Sequence, residues 1–355
     1  MLIAVLGLPS CGFGPEALHE NGLRRYEDGQ IDEAIEDFRR SIELDDSRAD
    51  VFVDLAAAYY ERGDVLEASM SCERALQIDP GNLSASALLG RAYLDLGRAR
   101  EALPLAIRGT QTPVPETSAL STLAAVFLDL GRYEDAERVY MMAIVSLRHL
   151  EEAAVDDLRR QELTQEDLGY LCYGVALACR GQRKAREAGL WFDRALVYLP
   201  DHSELLYEKG FLLEASGKWR EALDCYKLAI RADPFFVDAQ VRAGVALYSL
   251  GDLMTARDFL LAARDDSSGG PEAAYVLGRI AQDQGFTYEA IDYYREARSM
   301  DESMAPAWLR EGLLLRSLGF EAEGTECLHS ARRAGSSAAR WILESESAGR
   351  QVPNP

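Results

Sequence analysis

Apolar residues recur along most of this chain with the period of an amphipathic helix, in paired stretches of about a dozen residues. One glycine separates the two stretches of each pair. These glycines are Gly29, Gly63, Gly97, Gly131, Gly181, Gly217, Gly251, Gly285 and Gly319. The steps between them are 34, 34, 34, 50, 36, 34, 34 and 34 residues. The pattern predicts nine antiparallel helix pairs, and a period of this length is typical of a stacked repeat array.

Small and large apolar residues occupy fixed positions within the period. A small residue lies seven positions before each glycine, from Gly22 in the first repeat to Gly174 in the fifth and Gly312 in the ninth. A larger column in the second stretch consists mostly of bulky residues: Phe38, Cys72, Ala106, Tyr140, Phe192, Tyr226, Leu260, Tyr294 and Leu328. Small residues allow paired helices to approach closely, and large ones fill the space beside them. We expect each glycine to end the first helix in a left-handed conformation.

These columns resemble the tetratricopeptide repeat, a helix–turn–helix unit of about 34 residues. The motif is fullest in repeat six, which carries Leu206, Gly210, Gly217, Trp219, Ala222, Tyr226, Ala229 and Pro234. The resemblance covers residues 15–338 and implies an all-α fold, a right-handed α-solenoid of about nine repeats with a C-terminal capping helix. We predict one array of repeats one to four over 15–150 and a second array of repeats five to nine over 167–338.

Two segments lie outside the regular period. Residues 151–166 keep a helical apolar stripe, so we expect a helical extension in which the second helix of repeat four continues to about Gln161. Thr164 is then expected to cap the next helix. Residues 339–355 are expected to form a capping helix and a disordered tail, with Trp341 and Ile342 packing on the bare end of the array.

Composition and residue spacing argue against catalysis and against binding to nucleic acids. The formal net charge is −21, whereas a nucleic-acid-binding protein needs a basic surface. The six cysteines and four histidines show no disulfide framework, metal-ligand spacing or catalytic spacing, and no glycine-rich phosphate loop occurs. We therefore predict no enzyme activity, no metal and no small-molecule cofactor.

The apolar leader, residues 1–14, does not belong to the array. A dinucleotide-binding fingerprint fails here because Pro9 replaces the middle glycine and no βαβ unit follows. Two interpretations stay open. In one, the leader is the end of a truncated bacterial lipoprotein signal in which Cys11 is lipidated; in the other, it is an apolar segment that folds onto the first helix pair. The scattered cysteines favour the cytoplasm, and the alternative is a cell envelope location with a membrane anchor only through Cys11.

The resemblance also implies where a partner would bind. In this family the first helices line a concave groove that accepts extended or helical peptides. Carried onto this chain, the groove residues are Leu171, Val175, Tyr207, Phe211, Val241, Val245, Tyr248, Tyr275, Arg279 and Arg316. Acidic residues stand beside them: Glu204, Asp238, Glu272 and Asp283. We expect a protein or peptide partner that is apolar with basic flanks. The alternative is that the aromatic residues only pack between neighbouring helices.

Two functions follow from these observations. The first is a non-catalytic scaffold that binds a peptide or partner protein in its groove. The second is a bacterial envelope lipoprotein whose array assists the assembly of a secretion or surface complex. A lipid on Cys11 distinguishes the two.

Overall fold

The computed structural model describes residues 14–113, 115–153, 158–265 and 269–348. Over these ranges the chain forms nineteen helices and no strand. The helices are α1 (Pro15–Glu27), α2 (Ile31–Leu44), α3 (Ala49–Arg62), α4 (Val65–Ile78), α5 (Leu83–Asp95), α6 (Ala99–Gly109), α7 (Thr117–Asp129), α8 (Tyr133–Ala153), α9 (Leu158–Gly181), α10 (Ala185–Tyr198), α11 (Ser203–Ala215), α12 (Trp219–Ala232), α13 (Val237–Ser249), α14 (Leu253–Ala263), α15 (Gly270–Asp283), α16 (Thr287–Met300), α17 (Ala305–Ser317), α18 (Glu321–Arg333) and α19 (Ser337–Ser347). Cys11 and most of the apolar leader lie outside the described residues.

The first eighteen helices pack as consecutive pairs, from α1 with α2 to α17 with α18, and α19 packs against α18. They fall into two compact units, one that ends at Leu199 and one that begins at Pro200. We call them unit 1, with α1–α10, and unit 2, with α11–α19. The array limits expected from the sequence, 150 and 167, both fall inside unit 1, and those limits remain a prediction.

The glycines that set the period end the first helices as expected, with one exception. Eight of them have φ between 69° and 91°: Gly29, Gly63, Gly97, Gly131, Gly217, Gly251, Gly285 and Gly319. Gly181 instead is the last residue of α9, and the left-handed position of repeat five is taken by Arg183 at φ 62°. Only a residue without a Cβ adopts this conformation at little cost, which is why the sequence alone pointed to Gly181.

The first helix of repeat five is therefore set two residues later than the sequence suggested, while the second-helix column, with Phe192, is buried as expected. Gly174 does not face the second helix of its own repeat, because a Cβ there would lie 2.4 Å from the Tyr140 ring of α8. The Tyr173 and Phe192 rings lie 6.2 Å apart across the pair. The same 19-residue spacing joins Tyr207 to Tyr226 at 5.9 Å in repeat six. Tyr173 thus takes the position in repeat five that Tyr207 takes in repeat six.

The helices around the long insertion also differ from expectation. Gln161 and Thr164 both lie inside α9, which already begins at Leu158. The extra residues lengthen both α8, with 21 residues, and α9, with 24, rather than α8 alone. A continuous apolar stripe cannot show which of two adjoining helices a residue belongs to, and this explains the error.

The large apolar column forms the core, and all nine of its side chains are buried. At the C-terminal end α19 packs against α18 and buries Ile342, as expected. Trp341, by contrast, remains 55% exposed. Neighbouring residues of a helix point about 100° apart, so a helix that packs on one side buries only one of the two.

Candidate peptide-binding face

The side chains predicted to line the groove in unit 2 adjoin one hydrophobic cluster. The buried part of this cluster includes Val241, Leu247, Leu260 and Leu277. Four partly exposed side chains pack against it: Tyr207, Val245, Tyr248 and Tyr275. Phe211, beside them on α11, is the most open of these side chains at 38% exposure. We call the surface formed by Tyr207, Phe211, Val245, Tyr248, Tyr275 and Arg279 the first-helix face of unit 2.

Three of the predicted groove residues are in the core instead. Leu171 and Val175 are buried in unit 1 because the register of repeat five is shifted by two. With the corrected register, the half-buried Tyr173 and Leu177 take their places. Val241 is also buried, although it occupies the same repeat position as Tyr207. Assigning these three residues to the groove was wrong.

Two tyrosines of the face also have a packing role, as the alternative interpretation held. The Tyr207 ring lies 5.9 Å from Tyr226 and 5.1 Å from Phe236. The Tyr275 ring lies 5.8 Å from Tyr294 in the equivalent arrangement. Burial raises the pKa of Tyr207 above its ordinary value. Substitution of either tyrosine would therefore disturb both packing and surface.

Arg242 forms two ion pairs beside the first-helix face of unit 2. Its guanidinium lies 5.7 Å from the centre of the Phe211 ring and between two carboxylates, Glu214 at 3.4 Å and Glu272 at 3.2 Å. Glu214 also accepts a 2.7 Å hydrogen bond from the Tyr226 hydroxyl. Arg242 is half-buried, so both ion pairs are only partly screened by water. These ion pairs hold the Arg242 guanidinium in place next to the Phe211 ring.

A second polar arrangement joins α13 to α15. The Tyr248 hydroxyl donates a 2.6 Å hydrogen bond to Asp283, and the Arg279 guanidinium lies 5.0 Å from the Tyr248 ring centre. Burial and the hydrogen bond to Asp283 raise the pKa of Tyr248. Unit 1 repeats this arrangement, with Arg91 5.7 Å from the ring of Tyr60. Cation–π contacts of this kind add to the packing between neighbouring repeats.

Arg316, the last predicted groove residue, is already engaged. Its Nε lies 3.0 Å from Glu321 and its Nη2 lies 2.6 Å from Glu346 of the cap helix. Two ion pairs hold the guanidinium against α18 and α19. In this structure Arg316 links the last repeat to its cap.

Unit 1 contains a cleft that the sequence did not indicate. It has a volume of about 530 Å³ and is lined on its apolar side by Leu94, Ala125, Leu128 and Leu177. Arg180 and Asp129 border it. Leu177 reaches this cleft because the first helix of repeat five is shifted by two residues.

Among the described residues, one group could present three ligand atoms to a metal: Glu137, Cys179 and Glu187. The Lys184 ammonium already lies 3.1 Å from Glu137, and Gln182 donates to the same carboxylate at 2.6 Å. Burial and Glu137 raise the pKa of the Cys179 thiol to about 11, which opposes the thiolate that a metal requires.

No helix in the described ranges is long and apolar enough to cross a bilayer.

Family comparisons agree with this architecture. Models described as tetratricopeptide repeat match residues 61–111, 87–149 and 207–271, and a TPR repeat model matches residues 22–63. Together they cover more than half of the chain. Tetratricopeptide repeat protein 7A of Homo sapiens is 31% identical over 122 residues, which are 34% of this chain and 14% of the human protein. A probable UDP-N-acetylglucosamine–peptide N-acetylglucosaminyltransferase, SPINDLY of Hordeum vulgare, is 30% identical over 118 residues, 31% of this chain and 12% of that protein.

The chain thus matches only a small part of these relatives. Solved structures share the fold at low identity. PilF of Pseudomonas aeruginosa superposes with a TM-score of 0.51 at 17% identity, covering 69% of this chain and 98% of that chain. An IFIT1 monomeric mutant with m7Gppp-AAAA gives 0.52 at 14% identity, covering 89% and 80%. The repeat columns, the helix pairs and the family matches agree: the chain belongs to the tetratricopeptide repeat family and is built as an all-α repeat solenoid.

Proposed function

We propose that the first-helix face of unit 2 binds an apolar segment of a partner protein. The observation that supports this most is the exposed Phe211 ring on the same face as three partly exposed side chains, Val245, Tyr248 and Tyr275. Aromatic anchors surrounded by a polar rim supply most of the binding energy at protein interfaces. A patch of this kind on a soluble protein is typical of an interaction surface.

Unpaired carboxylates support basic flanks on the partner. Glu204 and Asp238 lie at the beginning of α11 and α13, and both are exposed. Neither has a cation within 4.0 Å among the residues described here. In a chain with 59 acidic and 38 basic residues, these carboxylates favour a segment that brings lysine or arginine.

We also infer that the protein is not an enzyme and does not bind nucleic acid. The similarity to the barley transferase covers 12% of that protein, too little to carry its activity over. The IFIT1 structure holds a capped nucleotide, but the net charge of −21 here opposes phosphate binding over a broad surface. We propose a cytoplasmic location. The envelope alternative depends on Cys11 and would be supported by a lipid-modified N-terminal peptide in mass spectrometry.

Removing the exposed anchor should weaken binding without unfolding the protein. Phe211→Ala removes a solvent-exposed ring that lies next to the Arg242 guanidinium and does not belong to the buried core. We expect a loss of about 1–3 kcal/mol of binding free energy for peptides selected on the wild-type chain from a random display library. Fluorescence anisotropy with the labelled peptides measures the change.

Phe235→Ala provides the matched control. Phe235 is 89% exposed in the turn before α13, so the same side chain is removed from the same unit outside the face. We expect unchanged affinity for this variant. Equal affinity of both variants and the wild type would mean that the peptides bind elsewhere.

A further inference from the structure

An exposed apolar patch lies at the turns within the last three repeats, and none of its residues belongs to the first-helix face. These turns join α13 to α14, α15 to α16 and α17 to α18. Five large side chains are 41–71% exposed there: Leu250, Met254, Phe286, Tyr288 and Phe320. We call them the turn patch of unit 2. Single exposed apolar residues are common, but a group of five on one set of turns is typical of an interaction surface.

The turns themselves do not need the two phenylalanine rings. Phe286 and Phe320 each follow a left-handed glycine, and the Phe286 N–H donates a 2.8 Å hydrogen bond to the Ala281 carbonyl. The Asp64 N–H makes the same bond to the Tyr59 carbonyl at 2.9 Å. The seven earlier repeats carry polar residues at this position: Gln30, Asp64, Arg98, Arg132, Lys184, Lys218 and Asp252. An aromatic side chain is therefore not required to close the turn.

An ion pair places the α14 and α16 parts of the patch side by side. The Arg257 Nη2 atom lies 2.7 Å from Glu289 Oε1 and so joins the first turns of the two helices. Met254 precedes Arg257 by one helical turn, and Tyr288 is the neighbour of Glu289. The Met254 and Tyr288 side chains thus belong to one surface.

Hydrophobic packing does the same for the α16 and α18 parts. Leu318, two residues before Phe320, packs on a small cluster that includes Ile291 of α16. Ile291 follows Tyr288 by one helical turn, so both lie on the same side of α16. Phe320 therefore continues the surface that Met254 and Tyr288 begin.

The area of the patch matches what a protein interface needs. Aromatic side chains bury about 150–250 Å² each, so at these exposures the five residues offer roughly 500 Å² of apolar surface. A standard interface buries about 800 Å² on each partner, and somewhat more than half of that area is apolar. The turn patch thus supplies the apolar share of one such interface.

The ion-paired groups beside the patch offer little to a charged partner. Arg257 is paired with Glu289, and Arg316 lies 3.0 Å from Glu321 and 2.6 Å from Glu346. Their charges are already balanced within the chain. Association at this surface therefore depends on apolar contact.

We propose that two copies of this chain associate through the turn patch of unit 2. The patch suits a symmetric interface, because Phe286 and Phe320 occupy equivalent positions of consecutive repeats. A two-fold axis midway between them places each Phe286 against Phe320 of the partner subunit, and all four rings are then buried. The contact is weak, since two chains of net charge −21 repel each other.

Sedimentation velocity of the whole chain over a range of concentrations tests the proposal. We expect the wild type to pass from one chain to two as its concentration rises, and added salt to strengthen the dimer by screening the repulsion. Phe286→Asp/Phe320→Asp should weaken self-association at least about 100-fold, because it replaces the rings by charges that meet across the axis. Asp64 and Asp252 already occupy this position, so the double variant should keep the wild-type circular dichroism spectrum.

Single variants separate position from charge. Phe235→Asp adds one negative charge at an 89% exposed side chain in another turn of unit 2 and should leave the dimer unchanged. Phe286→Asp adds the same charge inside the patch and should weaken the dimer at least about tenfold. A wild type that stays a single chain at all concentrations would overturn the proposal and leave the patch to a different partner. Equal self-association of the double variant and the wild type would also overturn it, as would equal weakening by the two single variants.

Discussion

Glu311→Gln should destabilise the end of unit 2 by about 2–3 kcal/mol, one of the two largest effects expected in this protein. Glu311 is 1% exposed and accepts from Arg295 Nε at 2.8 Å and Arg298 Nε at 2.6 Å. Breaking a buried pair of this kind costs about 3–5 kcal/mol. We reduce that figure because the Arg295 side chain is 46% exposed and can turn toward water.

Hydrogen exchange of the amides in α16 and α17 measures this effect locally, which suits a repeat array better than a single melting temperature. Glu323→Gln, an exposed position on α18, makes the same chemical change without a buried partner. We expect no loss of protection for it. Equal protection in both variants would show that the Glu311 cluster contributes little to stability.

Gly210→Val should cost a similar amount, about 2–3 kcal/mol. A Cβ at this position would lie 2.6 Å from the Tyr226 ring, closer than side chains pack. Tyr226 cannot move aside easily, because it is fully buried and its hydroxyl is bound to Glu214. The shift that relieves the clash would also displace Tyr207, which packs on the same ring. Loss of stability and loss of peptide binding are therefore expected together.

Urea unfolding followed by circular dichroism compares this variant with Ala215→Val. Ala215 is the exposed last residue of α11, and the β-branched side chain there should cost about 0.5 kcal/mol or less. In a Tyr226→Leu background the cost of Gly210→Val should fall, since the ring it meets is gone. The same cost in both backgrounds would rule out the clash as the cause.

The sequence predicted the fold well because each column of the period has a direct structural meaning. Glycines such as Gly217 end helices, and residues such as Tyr226 fill the space between paired helices. The prediction failed where a residue took an uncommon role. Arg183 adopts a left-handed conformation that is rare outside glycine, and this alone hid the register of repeat five and misplaced Leu171 and Val175.

The candidate site could be predicted only by position. Val241 shares its repeat position with Tyr207 and Tyr275, yet a valine is too short to reach past its neighbours and is buried. The counterions of Arg242 come from α11 and α15, two helices that are distant in sequence from α13 and from each other. The sequence of a single repeat shows neither the burial of Val241 nor the ion pairs of Arg242.

The measurement that tests the central claim most directly is photo-crosslinking of selected peptides to the whole chain. A benzoylphenylalanine replaces Phe211 in one variant and Phe235 in another, and mass spectrometry locates the adducts. The first probe lies on the first-helix face of unit 2, and the second lies outside it in the same unit. We predict peptide adducts at position 211 and none at position 235. Adducts at 235 with none at 211 would show that the partner binds another surface.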